Sequence, residues 1–371
     1  MKIVHLGPSV LPMTYQLGGA VQLRMLELAK AQAARGEKVI IYSAGPVPAR
    51  SEHEGVEIRT VACRLEMPFR DIEYLRKAIR ELRREPADVL HFHSLAEGAA
   101  LSTSISSKKF LSFDYFMFRR GKETPLFWWY RGALRKFSSL LPVSKYCQCG
   151  YEAYWGSNDV PIRILPNGVN LKQFRPDPAS GEAKRRSLGI GKEPVILYVG
   201  RVCYQKGSDI LIEAFERLRR NLANVRLVVA GPAEQFGNLK QSELTRRIEE
   251  VGGTYLGSLH DKDLLAVYNM CDVFVMPTRR LEMFGMAALE AQACGKPVVC
   301  SRHGGLPEVV SPKSGLFFPS GDSAALSEEL GQLLGDDILR NSTAMEARDN
   351  ASRFGWDRIA ERSEDIYRKS A

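Results

Sequence analysis

The chain has 371 residues, of which 44% are hydrophobic and 26% are charged, and its 52 Lys and Arg against 43 Asp and Glu give a net charge of +9. These proportions exclude an intrinsically disordered, collagen-like or disulfide-stapled chain, and the length predicts about two domains. Because no apolar run reaches the ~20 residues of a membrane-spanning helix, and because the seven cysteines are irregularly spaced, we expect a soluble cytoplasmic protein with reduced thiols.

The first half of the sequence alternates predicted strands with predicted helices. Ile72, Leu75, Ile79 and Leu82 recur at helical spacing in one of these helices. Short apolar strands that alternate with amphipathic helices predict an α/β fold with a parallel sheet covered on both faces. The predicted strands are 2–6, 38–42, 88–92 and 140–143, and the predicted helices are 19–34, 71–84 and 125–137.

Candidate ligand residues occur at two places in this half. Gly18 and Gly19 lie at the start of the first helix, where backbone amides can approach an anion, although a tight turn would also require glycine. His91 and His93 are two residues apart on a strand and therefore share one face of the sheet. Two imidazoles without a third ligand make a poor metal site, so no metal is expected.

Positive charge is concentrated in residues 1–186, which contain 29 Lys and Arg against 18 Asp and Glu. Such asymmetry is typical of a protein with an anionic partner (nucleic acid, a membrane or an acidic small molecule), or it serves solubility alone. The densest segment is 108–137, where eight basic and ten aromatic residues face only Asp114 and Glu123. Core packing is the favoured interpretation, an acceptor pocket or membrane surface comes next, and nucleic acid is not expected as a partner.

Four prolines and a glycine interrupt the alternation between residues 161 and 178 and predict a linker over 166–190. We therefore expect a first domain over 1–165, a second over 191–350, and a C-terminal helix in 351–371 that could pack back on the first domain. The second series has predicted strands at 195–199, 225–230, 254–256, 273–276 and 298–300, and predicted helices at 206–220, 239–251, 262–270 and 284–294.

Two cations follow the first strand of the second series. Arg201 comes directly after the strand, and Lys206 stands at the start of the next predicted helix. Cations in this position can neutralise a leaving diphosphate, although two solvated charges would give the same pattern.

The strongest local feature is the segment 277–290, PTRRLEMFGMAALE. Glu282 falls in a loop, whereas Glu290 falls in the second turn of the following helix, so one carboxylate can face a ligand in the loop while the other accepts hydrogen bonds from ribose hydroxyls. The amides of Phe284, Gly285 and Met286 have no intrahelical partner and suit phosphate oxygens. A helix that merely carries glutamates is the alternative.

These motifs together resemble the retaining glycosyltransferases of family 4, which have the GT-B fold. The resemblance covers nearly the whole chain and implies an α/β fold, GT-B, of two facing Rossmann-like domains with a cleft between them. The segments that carry it, in the family's order, are Gly18-Gly19, D-x-x-H-x-H at 88–93, P-N-G-V-N at 166–170, V-G-R at 199–201 with Lys206-Gly207, E-x7-E from Glu282 to Glu290, and G-G-L-P-E at 304–308.

The resemblance implies a hexosyltransferase that moves a sugar from a nucleotide-diphospho-sugar, commonly a UDP-sugar, to an acceptor hydroxyl in glycan, glycolipid or small-molecule glycoside biosynthesis. Retention would follow from front-face attack, in which a diphosphate oxygen helps to take the acceptor proton. The resemblance implies that no metal or other cofactor is required. The partners are the donor and an acceptor glycan, lipid-linked sugar or small molecule, with peripheral contact at the inner face of a membrane as a further expectation.

The resemblance also implies a role for each candidate residue. Arg201 and Lys206 would stabilise the departing diphosphate, and Glu282 would contact the donor sugar, so these three form the catalytic set. The donor would also be bound by Gly18, Gly19, Phe284, Gly285, Met286 and Glu290.

One position departs from the family pattern. Phe113 stands where the family usually has a histidine that contacts the donor sugar, while Asp114 remains, and His93 and Asp114 are the acceptor-side candidates. Because of Phe113, a catalytically inactive nucleotide-sugar-binding protein stays an alternative. A GT-B sugar-nucleotide epimerase is a third possibility, which the context of the E-x7-E motif disfavours.

Overall fold

The computed structural model describes residues 1–9, 20–64, 69–113, 124–156, 159–233, 239–280 and 282–370. The chain forms two compact units, the first comprising Met1–Gly168 and Trp356–Ala371 and the second Val169–Gly355. Each unit has its own sheet and its own buried core. The predicted α/β architecture is confirmed.

The first unit contains a seven-stranded sheet in the order β3-β4-β2-β1-β5-β6-β7. Every pair is parallel except β3 with β4. The strands are β1 (Lys2–Leu6), β2 (Lys38–Gly45), β3 (Ala49–His53), β4 (Val56–Ala62), β5 (Val89–His93), β6 (Lys108–Phe113) and β7 (Ser139–Pro142). The helices are α1 (Ala20–Ala34), α2 (Arg70–Leu82), α3 (Glu97–Leu101), α4 (Pro125–Leu134) and α5 (Lys145–Trp155).

The hairpin of β3 and β4 is absent from the prediction. Its two-residue turn consists of Glu54 and Gly55, with φ of 47° and 78°. Two successive positive φ values are what a tight hairpin turn needs to match the twist of its strands, and Asn-Gly or Asp-Gly is the usual sequence signal. Because glutamate occupies the first position, the sequence lacks this signal and does not predict the turn.

The second unit contains a six-stranded parallel sheet in the order β10-β9-β8-β11-β12-β13. Its strands are β8 (Val195–Val199), β9 (Arg226–Ala230), β10 (Thr254–Tyr255), β11 (Val273–Met276), β12 (Val298–Ser301) and β13 (Gly315–Phe318). Its helices are α6 (Pro178–Ser187), α7 (Ser208–Arg219), α8 (Leu239–Glu250), α9 (Asp261–Met270), α10 (Met286–Ala293), α11 (Leu306–Val309), α12 (Ser323–Gly335) and α13 (Asp337–Ser352), with a 3-10 turn at Tyr204–Lys206.

The structure corrects the prediction of a linker over 166–190. The units divide at Gly168, and α6 lies within the second unit. Asp177 caps α6 by accepting a hydrogen bond from the Ser180 amide, and the proline at its first position is tolerated because first-turn amides lack intrahelical partners. Gly181 lets α6 approach α9, since a Cβ there would lie 2.6 Å from the Asn269 carbonyl oxygen.

The last helix, α14 (Trp356–Lys369), lies against the first unit. Its buried residues Trp356, Ile359 and Tyr367 join a core cluster that includes Ile3 of β1 and Phe110 of β6. This amphipathic face is the reason the helix packs on α1. Among the helices of the described residues, none combines the length and apolar character needed to cross a bilayer.

Candidate active site

The carboxyl ends of β8 and β11 meet at the centre of the second sheet. On one side of the sheet β8 is followed by β9 and β10, and on the other side β11 is followed by β12 and β13. The strand order therefore reverses between β8 and β11. Open parallel sheets bind their ligands outside the strand carboxyl ends at such a point. The loops that leave these two strands carry Arg201, Lys206 and Glu282, which are predicted site residues.

Lys206 and Glu282 form an ion pair that joins the two loops. Lys206 Nζ donates to Glu282 Oε2 at 2.6 Å, and the two side chains are 17% and 10% exposed. A charge-assisted bond between groups this little exposed is stronger than a surface ion pair. The pair places a cation and a carboxylate side by side at the edge where a ligand would bind.

The backbone around Lys206 differs from the predicted helix start. Lys206 ends the 3-10 turn, and Gly207, with φ of 73°, separates that turn from α7. A Cβ on Gly207 would lie 1.9 Å from the Pro277 carbonyl oxygen. The glycine is therefore required both by its positive φ and by the close approach of the loop after β11.

A second ion pair connects the loop after β11 to the start of α7, next to the loop after β8. Arg279 Nη1 lies 2.6 Å from Asp209 Oδ2, while the amides of Arg279 and Arg280 both donate to the Gln205 carbonyl oxygen. Asp209 is nearly buried, and its Oδ1 has no hydrogen-bond partner among the described residues. Two ion pairs and two backbone bonds thus fix the relative position of the two loops.

Two glycines hold the backbone of Glu282 in place. The Gly305 amide donates to the Glu282 carbonyl oxygen at 2.9 Å. A Cβ on Gly304 would lie 2.1 Å from that same oxygen, and a Cβ on Gly305 would lie 2.3 Å from the Met283 carbonyl oxygen. The glycines of the G-G-L-P-E segment are explained by this close approach of two backbones.

Helix α10 begins at Met286, two residues later than predicted. Gly285 is its N-cap, with φ of 108°, and this left-handed conformation keeps Phe284 and Gly285 out of the helix. The first amides of α10 have no intrahelical acceptor, so the helix start retains the anion-binding character expected of it.

Glu290 lies in the second turn of α10, as predicted, and is partly buried. Tyr268 of α9 donates its hydroxyl to Glu290 Oε2 at 2.7 Å. Burial raises the pKa of Glu290 to about 7, and the hydrogen bond from Tyr268 partly opposes this rise. The carboxyl group therefore changes charge close to neutral pH.

Arg201 is exposed beyond the end of β8. Its carbonyl oxygen accepts a hydrogen bond from the Tyr198 hydroxyl at 2.8 Å, which anchors the backbone of the loop. The backbone of Arg201 is therefore held at the same edge of the sheet as Lys206.

The first-unit candidates are placed differently. Gly18, Gly19 and Asp114 lie outside the described residues. Phe113, the residue at the family's histidine position, is buried at the end of β6 and packs on Tyr151 with ring centroids 5.4 Å apart. His93 is fully buried.

His93 belongs to a polar cluster that the sequence analysis missed. His5 of β1 lies opposite His91 in the strand register and provides the third imidazole next to His91 and His93. Each ring nitrogen except His93 Nδ1 has a hydrogen-bond partner in the described part of the chain: His5 bonds to His93 and Gln32, and His91 bonds to Ser112 and Tyr367.

A metal ion would have to displace these hydrogen bonds, so the cluster is better explained as a buried network that ties α14 to the sheet. Burial lowers the pKa of His5 to about 4 and holds the pKa values of His91 and His93 well below the usual value. All three imidazoles are therefore neutral at neutral pH.

A two-unit α/β protein with a cation–carboxylate pair at the carboxyl edge of a parallel sheet belongs to the nucleotide-binding class of folds. Residues 18–173 match the family described as Glycosyltransferase Family 4, and residues 180–350 match that described as Glycosyl transferases group 1. The chain belongs to the family 4 glycosyltransferases, and the GT-B fold implied by the sequence motifs is confirmed.

Similar proteins support this assignment. The chain is 34% identical over 227 residues to a D-inositol 3-phosphate glycosyltransferase from Corynebacterium jeikeium, covering 59% of this chain and 53% of that protein. It is 31% identical over 251 residues to a GDP-mannose-dependent monoacylated alpha-(1-6)-phosphatidylinositol monomannoside mannosyltransferase from Corynebacterium glutamicum, covering 64% of each. The matched region thus spans about half to two thirds of these relatives' length.

A solved structure matches over the whole chain. Anabaena HepE in complex with UDP and glucose superposes with a TM-score of 0.79 at 19% identity, and the match covers 100% of both chains. At this level of identity the likeness concerns the fold.

Proposed function

We propose that the protein is a retaining glycosyltransferase that transfers a hexosyl group from a nucleotide-diphospho-sugar to an acceptor hydroxyl. The observation that carries the proposal is the pair of Lys206 and Glu282 at the strand-order reversal of the second sheet. A cation next to a carboxylate suits a diphosphate joined to a polyhydroxylated sugar, because each part of the donor finds a group of complementary character.

In this reaction Lys206 and Arg201 would stabilise the negative charge that develops on the diphosphate as the bond from C1 of the sugar to the phosphate oxygen breaks. Glu282 would orient the sugar through its hydroxyls. The acceptor oxygen bonds to C1 on the face that the diphosphate leaves, and its proton passes to a diphosphate oxygen. Because Glu282 is engaged with Lys206, it suits an orienting role better than that of a covalent nucleophile.

We propose a UDP-sugar as the donor. The family resemblance of the motifs, which commonly implies a UDP-sugar, motivates this choice, whereas the named donor of the Corynebacterium glutamicum relative is GDP-mannose. A thermal-shift screen of UDP-sugars and GDP-sugars separates the two, since a ligand at about 100 times its Kd adds about 2.7 kcal/mol to the free energy of unfolding. Stabilisation by GDP-sugars alone would contradict the UDP proposal.

The acceptor is proposed to bind the first unit as a polyol that carries a phosphate or a lipid. The names of the relatives contain inositol 3-phosphate and phosphatidylinositol monomannoside, and the positive charge of residues 1–186 fits an anionic acceptor. Transfer to neutral sugars in preference to phosphorylated polyols would argue against it.

A peripheral membrane contact through α4 is part of the same proposal. Trp128 and Trp129 are 59% and 46% exposed, and Arg131 lies over the Trp128 ring, 5.4 Å from its centroid. Exposed tryptophans next to basic residues are typical of a protein surface that contacts anionic lipid. Flotation with liposomes that rises with anionic lipid content, and falls in a Trp128→Ala, Trp129→Ala variant, is the expected result.

The central test is transfer by Lys206→Ala. We expect its turnover to fall at least about 100-fold without loss of folding, because the diphosphate loses its partly buried cation. Lys192→Ala, which removes an exposed lysine at the opposite edge of the same sheet, is the matched control and should keep full activity. Donor binding without turnover in the unmodified protein would favour the inactive alternative, and a free epimerised sugar nucleotide would favour the epimerase.

A further inference from the structure

Tyr268 presents a buried hydroxyl to Glu290 from the neighbouring helix, at 2.7 Å. We propose that Tyr268 is a positioning residue for the donor nucleotide, whose hydroxyl holds the Glu290 carboxylate in the orientation and the ionised form that accept hydrogen bonds from the ribose hydroxyls. This inference rests on the proposed function, because it concerns how the same donor site is prepared for its ligand.

The position of the Tyr268 hydroxyl is determined by packing. Tyr268 is fully buried, and its ring lies 5.8 Å from the ring of Phe174 and 5.8 Å from that of Phe274, measured between centroids. A tyrosine confined on two sides cannot swing its hydroxyl away when a ligand arrives. Such a support is what keeps a binding carboxylate in one orientation.

The hydrogen bond occupies one oxygen of Glu290 and stabilises its negative charge. Burial works against that charge and raises the pKa of Glu290 to about 7, whereas the bond from Tyr268 lowers it. The pKa of Tyr268 is itself well above its usual value, because of burial and because of Glu290, so the phenol keeps its proton and remains a donor. A neutral hydrogen-bond donor such as Tyr268 supports the carboxylate without adding a cation next to the ribose.

Two buried thiols near this pair keep their protons at neutral pH. Cys294 on the same helix and Cys271 at the end of α9 are buried thiols with raised pKa values, and the cations Lys296 and Arg348 act on Cys294. Of Glu290 and these two thiols, Glu290 is therefore the one whose charge changes near neutral pH.

Binding of the nucleotide-sugar is then coupled to release of a proton from Glu290. Ribose hydroxyls donate to the ionised carboxylate, so they lower the pKa of Glu290 and release its proton when binding occurs below about pH 7. The affinity for a nucleotide-sugar should rise as the pH increases toward 7 and level off above it.

Isothermal titration of the full chain with UDP-glucose and with GDP-mannose, from about pH 5.5 to about pH 8.5, tests the inference. The diphosphate diesters of these ligands do not titrate in that range, so changes in affinity report the protein. In Tyr268→Phe we expect the midpoint of the pH profile to move upward, with affinity at least about tenfold weaker at pH 6 and only about two- to threefold weaker at pH 8.5, where the lost orientation alone remains.

Two variants separate this role from a merely structural one. Glu290→Gln should flatten the pH profile, because the titrating group is gone. Tyr198→Phe removes another buried tyrosine hydroxyl in the same unit, one that donates to a carbonyl oxygen, so any loss of affinity should be equal at every pH. Carboxyl ¹³C NMR of the ligand-free protein should show a higher pKa for Glu290 in Tyr268→Phe.

An unchanged midpoint in Tyr268→Phe, or an equal loss of affinity at all pH values, would overturn the inference while leaving the proposed function intact. Failure of the unmodified protein to bind either ligand at any pH would instead overturn the proposed function. The two failures are therefore distinguishable in one set of titrations.

Discussion

The two units bury their polar groups at different positions relative to their sheets. In the first unit, His5, His91 and His93 lie within the strands, neutral and bonded to each other and to their surroundings. In the second, Lys206 and Glu282 lie in the loops beyond the strand ends and carry opposite charges. A neutral, largely hydrogen-bonded network stabilises a core, whereas charges at the carboxyl edge of a parallel sheet are placed to meet a ligand.

Among the variants that test this difference between the units, Glu282→Ala should have the largest effect. This change removes the proposed sugar contact and leaves the Lys206 ammonium without its carboxylate, so kcat/KM for transfer should fall about 100- to 1000-fold. Steady-state transfer with the best donor measures it. Glu328→Ala removes an exposed carboxylate of α12 in the same unit and should leave kcat/KM unchanged. Near-normal transfer by Glu282→Ala would show that the Glu282 carboxylate has no role in transfer.

Gly207→Ala should destabilise the second unit by about 2–4 kcal/mol. The new Cβ would meet the Pro277 carbonyl oxygen at 1.9 Å in a backbone with φ of 73°. Denaturant unfolding of the variant measures the loss. Gly335→Ala is the control, because nothing lies within 4 Å of its Cβ position, and it should change the free energy of unfolding by less than about 1 kcal/mol. Equal stability of the two variants would show that the loops are not fixed as described.

Mild acid should affect the two units in opposite directions. Imidazoles with lowered pKa values stabilise the native first unit at pH values above about 6.5, and this contribution is lost as the pH falls. Glu97 of the same unit, whose pKa burial raises to about 7, offsets only part of this loss because three imidazoles act against one carboxyl. A carboxyl whose pKa is raised to about 7 has the opposite effect, because the native second unit binds its proton more tightly than the unfolded chain does. Its contribution to stability is therefore greatest at low pH and is lost as the pH rises from about 4.5 to about 7.

Hydrogen exchange read by mass spectrometry, corrected for intrinsic rates, follows each unit separately. Between pH 7 and pH 5 we expect the first unit to lose at least about 1–2 kcal/mol and the second to gain about 1–2 kcal/mol through Glu290. Glu290→Gln should abolish the gain in the second unit alone. A loss of stability in both units between pH 7 and pH 5 would contradict the opposite pH responses expected of them.

Tyr367→Phe gives the smallest expected effect. It removes the hydroxyl that meets His91 Nδ1 at 2.6 Å and leaves a buried nitrogen without its partner, so the first unit should lose about 1–2 kcal/mol. Donor affinity should stay unchanged, because Tyr367 belongs to the network and not to the loops. Thermal unfolding together with a donor titration measures both quantities. A loss of donor affinity would connect the network to the site.

Local patterns were sufficient to predict most strands and the positions of the loop residues. The strands β1, β8 and β11 coincide with their predicted ranges, and the placement of Glu282 in a loop and Glu290 on a helix follows from the order of apolar and polar residues. These features depend on a few neighbouring residues, so the sequence expresses them directly.

Contacts between residues that are distant in the sequence could not be predicted from such local patterns. His5 joins His91 because β1 pairs with β5 in one particular register, and Tyr268 reaches Glu290 across two helices. The glycines at 304 and 305 stand out in the sequence, but their reason, the approach of the Glu282 carbonyl oxygen, exists only in the folded backbone. Helix α6 was missed because prolines flank and begin it.

A crystal structure of the protein with a bound UDP-sugar, or a GDP-sugar if only that class binds, tests the donor site most directly. We expect the diphosphate within hydrogen-bond distance of Lys206 Nζ and the ribose hydroxyls on the Glu290 carboxylate. A nucleotide bound elsewhere, with the loops after β8 and β11 unchanged and their ion pair untouched by the ligand, would contradict the assignment.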